Sequence, residues 1–269
     1  MTTSNDLWYP HPVGVKCLID AEIQAAKEIG IRFHPVRAYH SVPSDIVPPE
    51  VVDTTEGVME DAERLVKKYH DPSRFSMCQV GIGPSIAQYE TEEILRATVD
   101  LAERLDIMVH GHLSESRHEV EYTIETFGCR PVEWFRRHDL LGKRFYYAHC
   151  IHFTDEEIKV MAETGTGVAT CPISNMYLSS GACRLPDLKK AGITRMGIGV
   201  DGAASSNSAN MMEEIRCAYL LNRLSWGDDS LTAADILYMA TVGGAKALGR
   251  DDIGYLAPGM AADLVLMDW

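Results

Sequence analysis

The chain has 269 residues, 46% of them hydrophobic, which is enough for a sizeable core in one large α/β domain or two ordinary ones. Its formal net charge of −14 argues against nucleic acid or an anionic membrane surface as a partner. No apolar run approaches the ~18 residues of a membrane span, and the opening residues lack the pattern of a secretory signal. Seven dispersed cysteines without C-x-x-C spacing predict reduced thiols and a cytoplasmic protein; they stand at positions 17, 78, 129, 150, 171, 183 and 217.

Short apolar runs alternate with amphipathic segments along the chain. Apolar spacing predicts helices at 17–29, 54–69, 92–105, near 117–138, at 154–164, near 184–191, and at 208–224 and 232–247. Strands are predicted at 31–36, 75–83, 106–112, 144–150, 167–171 and 195–201, with a further strand end at the N-terminus and a proline-rich loop at 41–53. This alternation indicates βαβ units and a parallel sheet.

Polar residues stand at the carboxyl ends of several predicted strands. Open α/β sheets and α/β barrels both place their functional sites at this edge. Contributions from many strands, in chain order, favour a closed barrel. The residues concerned are His34, Arg37, His112, His149, Asn175 and Asp201.

The segment HGHLSES, residues 110–116, raises the question of a metal site. Side chains two apart in a strand point to the same face, so His110 and His112 could both be ligands. Glu115 follows His112 by three residues and is the kind of carboxylate that moves protons beside a metal-activated water. A buried, hydrogen-bonded histidine and a solvated glutamate would explain the segment equally well.

Two later segments offer similar chemistry. In YYAHCIH (146–152), His149 ends a strand, although a hydrogen-bonded polar residue explains a lone histidine there better than a metal ligand does. In GIGVDGAASSNS (197–208), Asp201 would be costly to bury unpaired, so a cation or a capped helix N-terminus is expected beside it. His112 and Glu115, His149, and Asp201 stand at or after the ends of three different predicted strands, in chain order. This placement is what a shared site at the strand ends requires.

The same segments carry a family resemblance. HLSE, AHCIH, residues 165–181, GIGVDGAASSNSANM and residues 251–268 resemble the metal-dependent amidohydrolases, in the branch of cytosine, guanine and chlorotriazine deaminases. Within that branch, HDPSRF (70–75), SNMYLSSG and GRDDIGYLAPGMAADLV are most similar to 8-oxoguanine deaminases. The resemblance implies a (β/α)8 TIM-like barrel over residues 1–250 and the start of a return to a small β-sandwich over residues 251–269.

The resemblance also implies roles for individual residues. His112 matches a metal ligand, and Asp201 matches both a ligand and the acceptor of the water's proton. Glu115 matches the acid that protonates the ring nitrogen next to the attacked carbon. His149 matches the histidine that orients the water and steadies the tetrahedral intermediate. Substrate contacts are expected at Arg37, Gln88 and Asn175.

The implied activity is hydrolytic deamination of an 8-oxoguanine-like purine, in which a metal-bound hydroxide attacks and ammonia leaves. The implied cofactor is a divalent metal; zinc is expected, and iron also suits His/Asp ligands. The motifs do not separate this activity from that of a hydroxytriazine alkylaminohydrolase or a pterin deaminase. The expected partner is a small heterocyclic substrate, neither nucleic acid nor a membrane, and a homo-oligomer fits the sequence as well.

The family's other two metal ligands form an H-x-H at the end of the first barrel strand, and the opening residues hold no counterpart. We therefore expect an incomplete barrel that lacks the first strand and most of the second, in a deaminase fragment truncated at both ends. His112 and Asp201 alone give fewer than the three protein ligands usual for catalytic zinc. The candidate replacements are His11, His34 and His40, while His110 is interpreted as a packing residue.

Two other kinds of function stay open. An incomplete metal site is compatible with a catalytically inactive fragment or a binding protein. Cys150 or Cys171 could also be a nucleophile, but no partner base is visible in the sequence, and a structural role explains both cysteines better.

Overall fold

The computed structural model describes residues 1–44 and 47–266. Their contacts divide the chain into two compact units. Unit 1 comprises Met1–Gly111 and the described residues from Ala261 onward, and unit 2 comprises His112–Met260. Across these described residues, seven strands alternate with helices, as the sequence pattern predicts.

Unit 1 repeats a strand–helix pattern. β1 pairs in parallel with β2, and β2 with β3. β3 meets β4 in parallel at Ile82 and Val109. The elements are β1 (Thr3–Trp8), α1 (Leu18–Ile29), β2 (Arg32–Tyr39), α2 (Thr55–Tyr69), β3 (Gly81–Pro84), α3 (Glu92–Leu105) and the first residues of β4 (Val109–Leu113), with short 3₁₀ helices at Pro49–Val51 and Ala87–Tyr89.

The helices of unit 1 form where the sequence supplies both a cap and an apolar face. Thr54 and Thr91 accept hydrogen bonds from the first turns of α2 and α3, which satisfies backbone N–H groups that would otherwise lack a partner. The apolar face of α1 is buried in a core cluster beside β2 and α2. The cluster contains Ile19, Ile23, Ala26, Phe33, Leu65, Cys78 and Val80.

Unit 2 continues the alternation of strands and helices. β5 pairs in parallel with β6, and β6 with β7. The elements after β4 are α4 (Arg117–Phe127), α5 (Pro131–Arg137), β5 (Phe145–His149), α6 (Asp155–Thr164), β6 (Gly167–Thr170), α7 (Pro172–Tyr177), α8 (Leu185–Lys190), β7 (Met196–Ile198), α9 (Ala203–Ser206), α10 (Met211–Trp226), α11 (Ala233–Tyr238), a π-helical turn (Met239–Gly243) and α12 (Gly244–Ala247).

Close packing fixes β7, the strand that leads to Asp201. A Cβ at Gly243 would lie 2.1 Å from the carbonyl oxygen of Met196, and one at Gly197 would lie 3.2 Å from the Cα of Gly244. The absence of side chains at these glycines therefore allows the π-helical turn and α12 to lie directly against β7.

Several predicted boundaries are corrected by the structure. The strand predicted at 75–83 is shorter, because Phe75 has a positive φ and only Cys78 makes an isolated bridge, to Phe33, before β3 begins at Gly81. β2 extends to Tyr39, so His34 and Arg37 lie within the strand and not at its end. The apolar spacing does not predict the helices α7 and α9 or the two 3₁₀ helices. Residues 45–46 of the loop predicted at 41–53 lie outside the described residues.

The C-terminal segment forms turns and bends, and its described residues, 251–266, contain no strand. Residues 267–269 of the predicted sandwich segment lie outside the described residues, and the domain boundary at residue 250 stays a prediction. Over the described parts of the chain, no helix is both long and apolar enough to cross a membrane.

Candidate metal and catalytic site

The turn after β4 is held by one buried carboxylate. Glu119, which is 3% exposed, accepts hydrogen bonds from the backbone N–H groups of Ser114 at 2.6 Å and Glu115 at 2.7 Å. Ser116 in turn accepts a hydrogen bond from the backbone N–H of Glu119 and caps α4. These bonds fix the backbone from which the Glu115 side chain projects.

Backbone hydrogen bonds bring this turn against the end of β5. The N–H of Cys150 donates to the carbonyl of Leu113, and the N–H of Ile151 donates to the carbonyl of Ser114, both at 3.0 Å. As a result, His149 Nε2 lies 3.7 Å from Glu115 Oε2. The His112 ring stacks on the His149 ring with centroids 5.3 Å apart.

The orientation of the His149 ring is set by an amide. Its side chain is 2% exposed, and its Nδ1 lies 2.8 Å from Asn175 Oδ1. Because an amide oxygen only accepts hydrogen bonds, Nδ1 is the donor, and in a neutral ring Nε2 then carries the lone pair. Nε2 is the atom that faces the carboxylates of Glu115 and Asp201, at 3.7 and 3.9 Å.

Asp201 follows β7 and is held by two donors. The hydroxyl of Ser174 donates to Oδ2 at 2.5 Å, and the backbone N–H of Gly202 donates to Oδ1 at 2.7 Å. Burial by itself would raise the pKa of Asp201, but the hydrogen bond from Ser174, the nearby His149 and the Gly202 N–H together hold the pKa below its ordinary value. Asp201 is therefore an ionised carboxylate at neutral pH.

The short helix α7 connects these two groups, because it supplies both Ser174 to Asp201 and Asn175 to His149. A carboxylate on α10 anchors the helix: Glu214 Oε2 accepts a hydrogen bond from the N–H of Ile173 at 3.1 Å. Burial raises the pKa of Glu214 to about 7, the Ile173 N–H opposes this rise, and the charge of Asp201 adds to it.

Four residues at or next to this cluster have a left-handed backbone. Positive φ angles, which cost energy in residues other than glycine, occur at Ser114 (52°), His149 (70°), Cys150 (51°) and Asp201 (63°). Such outliers cluster at functional sites, where surrounding contacts over-determine the conformation. Of these four residues, His149 and Asp201 belong to the cluster, and Ser114 and Cys150 stand next to Glu115 and His149 in the chain.

The donor set fits a divalent cation. Among the described residues, the group of three potential ligands whose donor atoms all lie within 4.8 Å of one another is His149, Cys171 and Asp201. Imidazole nitrogen, thiolate sulfur and carboxylate oxygen are all zinc ligands. His112, stacked on His149, adds a second imidazole next to this group.

Five of the residues predicted from the sequence thus belong to one cluster in unit 2: His112, Glu115, His149, Asn175 and Asp201. The structure brings them together through the ends of β4, β5 and β7, the turn after β4, and α7. Their catalytic and metal-binding roles stay predictions.

Arg37 and Gln88, the other two predicted substrate contacts, lie in unit 1. The Arg37 guanidinium pairs with Asp53 at 2.8 Å and with Asp61 at 2.9 Å. Gln88 is 1% exposed, and neither atom of its amide has a hydrogen-bond partner among the described residues. Their contact with substrate stays a prediction.

The histidines considered as replacement ligands also lie in unit 1. His34 is buried within β2. His11 Nε2 is hydrogen-bonded to the carbonyl of Trp8, and His40 Nδ1 lies 3.3 Å from Glu90 Oε1. His110 is 5% exposed on β4, as a packing residue would be.

Sequence reasoning missed the residues that support the cluster. Ser174, Glu119 and Glu214 act through hydrogen bonds whose partners the sequence does not reveal. The sequence predicts a structural role for Cys171, with a nucleophile as the alternative, and does not predict its position beside His149 and Asp201. A signal existed for Cys171: it stands directly after β6, at the same kind of strand end as His149.

Comparison with known proteins places the chain among enzymes of one family. The model of the amidohydrolase family matches residues 1–269. The 8-oxoguanine deaminase of Pseudomonas aeruginosa is 39% identical over 268 residues, which are 98% of this chain and 60% of that protein. The hydroxydechloroatrazine ethylaminohydrolase of a Pseudomonas species (strain ADP) is 36% identical over 257 residues, 93% of this chain and 53% of that protein.

A solved structure shows the same likeness. The crystal structure of atrazine chlorohydrolase from Arthrobacter aurescens, complexed with zinc, superposes with a TM-score of 0.93 at 29% identity, covering 98% of this chain and 59% of that one. The chain therefore spans between half and two thirds of the length of these proteins. The likeness confirms the predicted fold class, in which parallel strands alternate with helices as in amidohydrolase barrels. From the family match and these identities, we conclude that the chain belongs to the amidohydrolase family.

Proposed function

We propose that the chain carries metal-binding and proton-transfer residues of a hydrolytic deaminase that acts on an aromatic N-heterocycle of the 8-oxoguanine type. The observation that carries the proposal is the position of His149 Nε2, which lies 3.7 Å from Glu115 Oε2 and 3.9 Å from Asp201 Oδ2. An oriented imidazole between two carboxylates is an arrangement suited to general acid–base catalysis.

A divalent cation fits this cluster, and His112 and Asp201 are the residues proposed to hold it. When bound, such a cation supplies a water nucleophile at neutral pH by lowering the pKa of that water. The zinc in the atrazine chlorohydrolase structure supports zinc as the metal.

The remaining chemistry falls to side chains of this chain. Asp201, which its neighbours keep ionised, accepts a proton from the attacking water. His149 accepts a hydrogen bond from that water at Nε2, because its Nδ1 is committed to Asn175. Glu115, with 22% of its side chain exposed, protonates the ring nitrogen next to the attacked carbon.

The proposed reaction balances with water as the only co-substrate. A C–O bond forms at the carbon that bears the exocyclic amine, and the C–N bond to that amine breaks. One proton of water goes to the ring nitrogen through Glu115, and the other leaves with the amine, passed on by Asp201. The products are a lactam and ammonia.

An unsatisfied amide supports a polar heterocycle as the substrate. Asn175 is fully buried, and its Nδ2 has no hydrogen-bond partner among the described residues. A buried donor without a partner costs about 1–3 kcal/mol, and a ring nitrogen or carbonyl oxygen of the substrate would satisfy it. The 39% identity to an 8-oxoguanine deaminase favours an oxidised purine.

A second candidate is removal of an alkylamine from a hydroxytriazine. The 36% identity to hydroxydechloroatrazine ethylaminohydrolase favours it, and the reaction uses the same acid–base groups. We also propose a cytoplasmic location, because the dispersed cysteines are typical of reduced thiols. A homo-oligomeric assembly is a further proposal that the acidic sequence is compatible with.

The test is ammonia or amine release by the longest protein that the gene encodes, loaded with zinc, from 8-oxoguanine, a pterin and a hydroxytriazine. We expect the highest kcat/KM with 8-oxoguanine. Glu115→Gln should abolish turnover, whereas the control Glu125→Gln, an exposed site on α4, should not change it. Turnover that survives in Glu115→Gln, or none with any of the three substrates, would refute the proposal.

A further inference from the structure

The segment AHCIH contains a second histidine, His152, which has no part in the proposed reaction. His152 stands in the segment after β5. Its backbone N–H donates to the carbonyl of Ser114 at 3.0 Å, and its own carbonyl accepts a hydrogen bond from the Arg130 guanidinium at 2.6 Å. Arg130 is in turn paired with the carboxylate of Glu157 at 2.9 Å. These bonds fix the backbone of His152 against the turn that carries Glu115.

The His152 imidazole holds the backbone of Ser180. Its Nε2 lies 2.9 Å from the carbonyl oxygen of Ser180, and because a carbonyl only accepts hydrogen bonds, Nε2 is the donor. The Ser180 N–H donates to the carbonyl of Asn175 at 2.9 Å. Both backbone polar groups of Ser180 are therefore engaged, although the residue stands in the loop after α7.

A glycine allows this loop to lie against His152. Gly181 has a φ of 128°, a conformation that residues with a side chain rarely adopt. A Cβ at this position would lie 2.9 Å from Cγ2 of the buried Ile151 and 3.9 Å from Cε1 of His152. The absence of a side chain after Ser180 thus brings the loop within hydrogen-bond distance of the imidazole.

The hydroxyl of Ser180 reaches the proposed acid. It donates a hydrogen bond of 3.3 Å to Glu115 Oε1, whereas Glu115 Oε2 lies 3.7 Å from His149 Nε2. The two oxygens of the carboxyl group therefore have different neighbours. A protonated carboxyl group has one O–H and one oxygen that only accepts, so a hydroxyl that donates to Oε1 leaves Oε2 to carry the proton.

We propose that Ser180 is a positioning residue for Glu115: its hydroxyl holds Oε1 and thereby directs Oε2 towards the ring nitrogen of the substrate, while His152 keeps Ser180 in place. This role rests on the proposed function, in which Glu115 is the acid. Ser180 keeps its own proton throughout, and the proton delivered to the ring is that of Glu115. Without Ser180, the carboxyl group would rotate about its last bond, and a misplacement of about 1 Å can cost roughly 10²-fold in rate.

Kinetics in light and heavy water separates positioning from a general loss of structure. In the longest protein that the gene encodes, loaded with zinc, Ser180→Ala should lower kcat about 10- to 100-fold and change KM by less than about twofold. The solvent isotope effect on kcat should rise, because proton transfer from a mobile Glu115 becomes slower relative to the other steps. Ser180→Thr, which retains the hydroxyl, should restore most of kcat. The control Ser225→Ala, at an exposed site on α10, should leave both quantities unchanged.

Crystal structures of the same variants test the contact without any measurement of activity. We expect the Glu115 carboxyl group to rotate or to occupy more than one conformer in Ser180→Ala and to stay in one conformer in Ser225→Ala. His152→Phe keeps a ring but removes the donor to the Ser180 carbonyl, so it should loosen Glu115 as well, with a smaller loss of kcat. This variant becomes the decisive comparison should Ser180→Ala fail to fold.

A Glu115 carboxyl group that keeps its single conformer in Ser180→Ala would overturn the proposal. A loss of kcat that Ser180→Thr does not restore, or that leaves the solvent isotope effect unchanged, would also overturn it. Failure of the deaminase proposal gives a different result: the wild type would release neither ammonia nor amine, while Glu115 would still lose its conformer in Ser180→Ala.

Discussion

The Arg37 network of unit 1 and the polar cluster of unit 2 hold their ionisable groups in different ways. In unit 1, the buried Arg37 guanidinium is matched by carboxylates of Asp53 and Asp61, and Asp61 also pairs with Arg64 at 2.8 Å. In unit 2, His149 and Asp201 lie 3.9 Å apart on strained backbone. The Arg37 charge is buried and neutralised within the fold, whereas the Asp201 carboxylate, with 25% of its side chain exposed, is open to a ligand.

The contrast is a usable criterion for assigning function. Structural ion pairs satisfy each other, and removing one partner leaves an uncompensated charge that destabilises the protein. A reactive cluster holds its residues by hydrogen bonds from supporting groups, as Ser174 does for Asp201 and Asn175 does for His149. Substitution should therefore reduce stability in the first case and activity in the second.

The largest effect is expected from Asp201→Asn. The change removes the proposed proton acceptor, so kcat/KM for deamination should fall about 10²- to 10⁴-fold. Stability should change little, because asparagine tolerates the positive φ of 63° at this position. Steady-state kinetics measures kcat/KM, and urea unfolding measures the free energy of unfolding. A near-normal kcat/KM in Asp201→Asn would contradict the catalytic role of the cluster in unit 2.

Asp61→Asn should do the opposite. The substitution removes the charge that faces both Arg37 and Arg64, and we expect a loss of about 3 kcal/mol in the free energy of unfolding, since a buried cation loses compensation. Urea unfolding measures this loss. Asp100→Asn, an exposed position on α3, is the control and should stay within about 0.5 kcal/mol of wild type. Equal stability of the two variants would contradict a structural role for the Arg37 network.

Asn175→Ala should have an intermediate effect within the cluster. It frees the His149 ring, which loses its hydrogen bond at Nδ1, and kcat should fall about 10- to 100-fold as for other residues that orient a catalytic histidine. KM should also rise if Nδ2 contacts the substrate. A stability loss of about 1–3 kcal/mol with unchanged kcat would assign Asn175 to the fold alone.

The smallest effect is expected from Asp20→Asn in unit 1. Hydrogen bonds from Arg64 lower the pKa of Asp20, and burial opposes this effect. Further hydrogen bonds from Lys68 and Tyr69 lower the pKa again, so that it lies far below its ordinary value. Its stabilisation, about 1 kcal/mol, is therefore fully present above the unfolded carboxyl pKa of about 3.9 and is lost as the pH falls below it. Unfolding free energies of the variant and wild type should differ at pH 7 and converge towards pH 2; a constant difference would contradict the pairing.

The alternation of strands and helices could be predicted because it depends on local apolar spacing, which α1, α3 and α6 display clearly. The start of β3 at Gly81 could not be predicted, because the apolar pattern continues through residues 75–80, of which only Cys78 makes a bridge, to Phe33. The helix α7 was missed although Pro172, at its first position, was an available signal.

The reactive groups of the site could be predicted from the sequence, but the residues that hydrogen-bond to them could not. His149 and Asp201 stand at or just after strand ends, which is visible in sequence. The partner of Asp201 is Ser174, 27 residues away, and that of Arg37 is Asp61, 24 residues away. Pairs at such separations arise from packing, so the sequence could not show that the Arg37 guanidinium is engaged in ion pairs.

The central claim, that the polar cluster of unit 2 presents its groups to a cation, is tested most directly by melting temperature with and without zinc. A ligand at about 100 times its Kd adds roughly 2.7 kcal/mol, which is several degrees for a chain of this size. We predict that zinc raises the melting temperature of the wild type and of Asp61→Asn and leaves that of Asp201→Asn unchanged. An equal rise in all three proteins, or none in the wild type, would contradict the claim.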